Sequence, residues 1–224
     1  MDNEIITALV PLSFGFVIYF ALHSWLASLK LKKFVAHRWP AFMPAYRLTY
    51  NLVAVILIIP LLWLMHLNPG PLLWQWTGSM AIIMKGILIT AIGGFLWSLR
   101  SYDNRVFLGW TQWQNRHQGA EDPDRLFISS LHRYVRHPWY FYMLVILWVQ
   151  DIHLAQLITY SIISLYLVIG SRLEERKLIE KFGEAYKRYC QQVPGLLPLP
   201  WRRLSRDEAR ELIELSVNNS KQNV

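Results

Sequence analysis

One cysteine, Cys190, among 224 residues excludes an internal disulfide and any cysteine-rich metal centre, and it is read as an ordinary residue. Charge is equally sparse. Asp, Glu, Lys and Arg make up 17% of the chain against 54% hydrophobic residues, a balance wrong for a soluble domain. There is no glycine-rich phosphate loop, no nucleophile beside a base motif and no paired-histidine zinc spacing, so no metal is expected. A basic leader is also missing: Asp2 and Glu4 flank the start of an apolar run too long for the core of a signal peptide, and that run is expected to stay as a span.

What the chain has instead is long apolar blocks. Windows of about 20 apolar residues, the length that crosses a hydrocarbon core, fall at 5–29, 48–67 and 77–99. Two shorter runs, 138–150 and 154–171, are separated only by Asp151, Ile152 and His153. The first of these covers only about 20 Å at the helical rise, so either its helix begins earlier or the two runs form a hairpin that does not fully cross. Apart from Lys85, every Lys and Arg lies in 30–47, 100–136 or 172–224. The positive-inside rule puts those segments on the cytoplasmic side. The expected fold is therefore all-α: an integral membrane bundle of about five transmembrane helices, the last two a hairpin, with a C-terminal cytoplasmic helical segment. The N-terminus is expected outside and the C-terminus cytoplasmic, in a bacterial inner membrane. The net charge of +8 then reflects topology and contact with membrane lipids rather than nucleic-acid binding, and no obligate protein partner is evident.

Local signals refine this outline. His23 and Ser24 lie about a turn and a half inside the basic edge of the first span, where polar groups face protein rather than lipid; His23 either bonds a neighbouring helix or lines a pocket. The basic segment 30–47 is expected to lie on the membrane. Pro60 is placed to bend the second span, and the Asn-Pro-Gly-Pro run at 68–71 to turn the chain. Gly93-Gly94 permits close helix approach. The stretch from Arg100 is aromatic and amphipathic, and 118–124 reads as an exposed turn. Residues 172–189 have helical spacing, and 207–215 make one more short helix before a polar end expected to be disordered.

The densest chemistry lies at 126–142, LFISSLHRYVRHPWYFY, where basic and aromatic residues gather just ahead of an apolar run. Pro138 suits the first turn of a helix, where its missing N–H has no partner to lose. A second polar cluster, Arg172 with Glu174, Glu175, Arg176 and Lys177, follows the last apolar run, and the expected topology brings both clusters to one face. Haem ligation is disfavoured, since His23 and His66 lie at opposite edges and His132 and His137, five apart, diverge on an ideal helix. A transporter would carry polar residues near the bilayer midplane, and here they crowd one surface.

The segment LFISSLHRYVRHPWY resembles the "RHPxY" signature of the isoprenylcysteine carboxyl methyltransferase and phospholipid methyltransferase superfamily of integral membrane enzymes. Glu174-Glu175, Leu178, Phe182-Gly183-Glu184, Tyr186, Tyr189 and Val193-Pro194 resemble its second motif. FALHSWLAS and YRLTYN, earlier in the chain, are similar to the branch that includes methanethiol S-methyltransferase. The resemblance implies S-adenosyl-L-methionine as cofactor and methyl transfer to a lipophilic or small thiol, carboxylate or amine acceptor at the cytoplasmic face. It implies cofactor contacts at Leu126, Phe127, His132, His137, Pro138, Trp139, Tyr140, Glu174 and Glu175, with Gln112 matching a family glutamine upstream. His137, Arg136 and Tyr140 become the candidate catalytic residues, and His23 and Arg172 the candidate substrate contacts. Departures are visible too: Tyr142 stands where the family commonly has Gly, and Gly170 where prenylcysteine enzymes carry an arginine, which argues against a prenylcysteine substrate. The alternatives are a membrane scaffold that keeps the cofactor fold without turnover, or a haem protein. Three segments are expected: an N-terminal three-helix part over 1–100, a catalytic core over 101–200 and a tail over 201–224.

Overall fold

The computed structural model describes residues 3–100, 103–115 and 126–222. The chain is all-α and multi-pass, with four described helices long and apolar enough to cross a membrane. It opens with α1 (Asn3–Leu26), which ends three residues before the expected limit because Ser28 accepts a bond from Leu31 N–H and starts α2 (Leu29–Arg38). The basic segment is thus a helix followed by a short 3-10 turn (Pro40–Phe42). After α3 (Met43–Leu67), which carries Pro60 inside, the chain makes β1 (Leu72–Trp74), α4 (Gly78–Leu99), α5 (Asn104–Leu108) and α6 (Trp110–Gln114). There follow α7 (Pro138–Trp148), β2 (Ile152–His153), α8 (Leu154–Phe182), α9 (Glu184–Gln192) and α10 (Arg206–Gln222).

Three expectations are corrected. Of the three residues read as a hairpin tip, Ile152 and His153 form β2, which pairs antiparallel with β1, and the Asp151 carboxylate accepts from Trp76 N–H at 3.0 Å. The last apolar run and the charged stretch after it are one helix, since nothing interrupts α8 until Gly183, whose φ of +57° suits a residue without a Cβ. The end of the chain is an ordered helix longer than 207–215, because Ala209, Leu212 and Ser216 recur on one buried face. The turn expected at 118–124 lies outside the described residues.

Two compact units interleave along the chain. The first comprises Met1–Thr77, Tyr102–Ala120 and Asp151–Ile163. Its core is side-chain packing within the apolar layer: Leu9, Leu12 and Phe16 of α1 meet Ala155 of α8, with Ile58 and Leu61 of α3 against them. Polar side chains of this unit make isolated bonds, as where the Tyr46 hydroxyl donates to Leu26 C=O at 2.6 Å. Asn51 donates to the carbonyls of Phe107 and Leu108, holding α5 against α3.

The second unit comprises Gly78–Ser101, Glu121–Gln150 and Ser164–Val224. Here α7 packs on α4, and the close approach read from Gly93-Gly94 belongs to Gly94, where a Cβ would sit 2.5 Å from the Tyr142 ring; Gly93 faces open space. Beyond the apolar helices the unit has its own core of Leu126, Phe182, Tyr186, Tyr189, Val193, Leu204 and Leu212. The motif tyrosines Tyr186 and Tyr189 belong to it, and burial pushes the Tyr186 phenol well up from its usual range.

Candidate functional site

The site is built where α7 begins. His137 is the residue before Pro138, and the chain leading to it, 126–137, is a series of turns rather than a helix. Those turns cannot bond to themselves throughout, so they borrow partners: Arg136 N–H donates to Pro194 C=O at 2.9 Å, His137 N–H to Gly195 C=O at 3.0 Å, and Leu204 N–H to Arg133 C=O at 3.0 Å. The 193–195 segment of the second motif thereby lies alongside the first.

Side chains complete the junction. The Arg136 guanidinium donates from Nε to Glu175 Oε1 at 2.8 Å, from Nη1 to Cys190 C=O at 2.8 Å, and to Val193 C=O. Glu175 Oε1 also accepts from His137 Nε2 at 3.0 Å, which fixes the proton on that nitrogen, and the other ring nitrogen, Nδ1, faces Glu174 Oε2 at 3.6 Å. His137 is 7% exposed and stacks on Tyr140, with ring centroids 5.2 Å apart. Burial is the largest single influence on the Arg136 charge and works against it, but the Glu175 bond together with the charge interactions with Cys190, Glu175 and Tyr186 outweighs it and the net direction is up. Gly195 matters here: a Cβ on it would press on Arg136 Nη2 at 3.2 Å.

The two glutamates of the pair consequently differ. Glu175 is 17% exposed and committed to Arg136 and His137, whereas Glu174 is 52% exposed and, among the described residues, has its one ion pair with His137 at 3.6 Å. Next to this, His132 is buried, shares a 2.7 Å hydrogen bond between Nδ1 and the Ser129 hydroxyl, and meets the half-exposed Phe127 ring edge-on at 5.8 Å. Burial, followed by the nearby His137, lowers its pKa to about 4, so at neutral pH it is an uncharged hydrogen-bonding group. The Tyr189 hydroxyl supports it by donating to His132 C=O at 2.6 Å.

The other candidates have these positions. Leu126 is in the core with its N–H on the Ser216 hydroxyl at 2.9 Å, and Pro138 is fully buried. Trp139 lies against Phe95 of α4, and Arg172 is exposed on α8. His23 and Gln112 belong to the first unit. There His23 Nε2 lies 2.6 Å from the Tyr50 hydroxyl, and the Gln112 amide donates to Val106 C=O while its buried Oε1 has no partner among the described residues. The carbonyls of Cys190, Val193, Pro194 and Gly195 were not anticipated; the Val-Pro-Gly sequence was the available signal. Cys190 itself is half-buried and burial raises its thiol pKa, in keeping with an ordinary residue. Among the described residues no group of three or more His, Cys, Asp or Glu is placed to hold a metal ion.

An open carboxylate beside a buried imidazole, with an exposed aromatic ring nearby, suits a ligand that carries cationic groups and a flat base. Comparison with curated proteins finds methyltransferases. The chain is 30% identical over 188 residues to methanethiol S-methyltransferase 1 of Bradyrhizobium diazoefficiens, covering 81% of this chain and 63% of that protein. It is 27% identical over 209 residues to methanethiol S-methyltransferase of Crocosphaera subtropica, covering 88% and 77%, and 25% identical over 201 residues to the protein of that name from Mycobacterium tuberculosis, covering 83% and 76%. The chain thus spans somewhat less than two thirds of the Bradyrhizobium protein's length. No family model and no solved structure matches.

Proposed function

The chain belongs to the isoprenylcysteine carboxyl methyltransferase-like family, the group of its methanethiol S-methyltransferase relatives, and we propose that it is a membrane methyltransferase that uses S-adenosylmethionine to methylate the sulfur of a small apolar thiol. The observation that carries this reading is the division of labour between Glu174 and Glu175 around His137. When bound, the cofactor supplies a methyl group on a sulfonium centre. Glu174 is the group free to pair with the cofactor's ammonium or ribose hydroxyls, and His137, held by Glu175, presents its second ring nitrogen beside it. Phe127 and Tyr140 offer ring faces to the adenine and the sulfonium. Arg136, whose Nε and Nη1 donate to Glu175 and to backbone, is a positioning residue: it fixes His137 and Glu175 in line for the transfer. Both motifs sit at the cytoplasmic surface in this reading, with the N-terminus outside, as the distribution of Lys and Arg supports.

The test is cofactor titration of the purified protein in detergent, followed by headspace detection of dimethyl sulfide from methanethiol. Glu174→Gln is expected to weaken S-adenosylmethionine binding by roughly ten- to a hundredfold, the loss of one charge-assisted bond of about 1.5–3 kcal/mol, with the fold intact. Equal affinity in variant and parent would remove Glu174 from the site, and no binding by the parent at millimolar cofactor would remove the enzyme.

A further inference from the structure

Outside the apolar helices, many large hydrophobic side chains of the second unit are gathered into the core around Tyr186 and Tyr189, and besides the half-exposed Phe127 and Tyr134 one segment departs from this. In the segment 196–203, Leu-Leu-Pro-Leu-Pro-Trp-Arg-Arg, Leu197 is 62% exposed and Trp201 is 77% exposed. The segment contains no acidic residue, and Arg203 is exposed beside Trp201. Leaving both side chains in water forfeits the free-energy gain of burying them, an arrangement at odds with the closely packed residues on either side: Val193 and Leu204 are both fully buried.

The backbone shows where this excursion lies. Its first end is tied by His137 N–H on Gly195 C=O, and its second by Leu204 N–H on Arg133 C=O. Both anchor points are within five residues of Pro138, the first residue of the wholly apolar α7, and α7 packs beside the membrane-spanning α4. The loop therefore leaves and rejoins the protein at the depth where the chain passes from polar to apolar surroundings. A tryptophan and a leucine next to arginine at that depth have the composition of an interfacial anchor, the rings and aliphatic groups among the acyl carbons and the guanidinium among phosphates. Pro198 and Pro200 restrict the loop's φ angles and so lower the entropy lost on docking.

We propose that residues 196–203 dock into the lipid headgroup layer and that this contact holds the 193–195 backbone that pins Arg136 and His137. The bilayer is then a structural partner of the site, acting through Val193, Pro194 and Gly195. The inference concerns lipid contact and the backbone it supports, and it does not depend on the reaction proposed above.

Spin labelling tests it independently of activity. In a Cys190→Ala background, Leu197→Cys, Trp201→Cys and, as a water-exposed reference on α10, Glu214→Cys would each carry a nitroxide, in the full chain reconstituted in phosphatidylcholine–phosphatidylglycerol vesicles. The expected result is a ratio of oxygen to nickel-chelate collision rates several-fold higher at 197 and 201 than at 214. A ratio at 197 and 201 equal to that at 214 would place the loop in water and overturn the proposal. Labels at exposed positions leave the core intact, and a thermal melt of each variant matching the parent verifies that the fold is retained.

Discussion

The two compact units hold themselves together by different means. In the first, Leu9, Leu12 and Phe16 pack on Ala155 with α3 alongside, and the polar contacts are scattered hydrogen bonds such as Tyr46 to Leu26 C=O and Asn51 to the carbonyls of Phe107 and Leu108. In the second, the apolar pairing of α4 with α7 continues into a junction where one arginine reaches a carboxylate and two carbonyls, and where backbone groups of Arg133, Arg136 and His137 are satisfied by Leu204, Pro194 and Gly195. Dispersion and helix packing are tolerant of shape, because lipid can fill what a neighbour does not. Buried hydrogen-bonded charge is not tolerant, since removing one partner leaves the others desolvated and unpaired. The second unit is thus the one built to hold a few side chains in a fixed relation.

The sharpest way to break this contrast is Arg136→Ala. It strands Glu175 and two carbonyls in a half-dry junction, and by analogy with broken buried pairs it is expected to cost about 3–5 kcal/mol. Thermal melts in detergent should show a large drop and cofactor affinity should fall with it, while Arg136→Lys recovers part of the stability. A loss within about 0.5 kcal/mol, the usual range for a surface change, would make the junction ornamental and the two units alike.

Acid provides the next test. His132 has its pKa lowered to about 4 in the folded state, against about 6.5 in an unfolded chain. The folded state therefore resists a proton that the unfolded chain accepts. The contribution is fully present above about pH 6.5, erodes as pH falls below it, and stops changing near pH 4 where folded His132 itself protonates, at most about 1.4 kcal/mol for each pH unit crossed. Melting temperature should fall between about pH 7 and pH 5, and His132→Gln should flatten that fall. An unchanged slope in the variant would assign the acid sensitivity elsewhere.

A smaller effect compares packing in the two units directly. Gly94→Ala would drive a Cβ to 2.5 Å from the ring of Tyr142, a rigid group, and should cost about 1–3 kcal/mol by overpacking. Gly15→Ala in the first unit meets the end of the Leu61 side chain, which can rotate away, and should cost less. The pair is measured by melts of the two variants side by side; a larger loss from Gly15→Ala would reverse the contrast in rigidity.

Much of this was legible in residue order. Apolar runs of membrane length, Pro138 opening a helix, the turn at 68–71 and the close approach at Gly93-Gly94 all depend on local chemistry, and local chemistry is what a sequence states directly. The sequence also held both motifs of the site. It could not separate Glu174 from Glu175, because adjacent carboxylates are identical in composition and differ only in which one α8 turns toward Arg136. Nor could it assign Arg136 to positioning, since its partners beyond Glu175 are carbonyl oxygens, which every residue possesses and no motif records. The pairing of β1 with β2 and the burial of α10 were hidden for a related reason: each joins residues far apart in the chain, and neither has a strong pattern until the other element is beside it. Hydropathy and motif order determined that this is a membrane protein and pointed to a candidate site at the start of α7. Tertiary packing alone decided which side chains hold that site and which are left free to meet a ligand, because burial and hydrogen-bond partnership are properties of the folded neighbourhood and not of the residue.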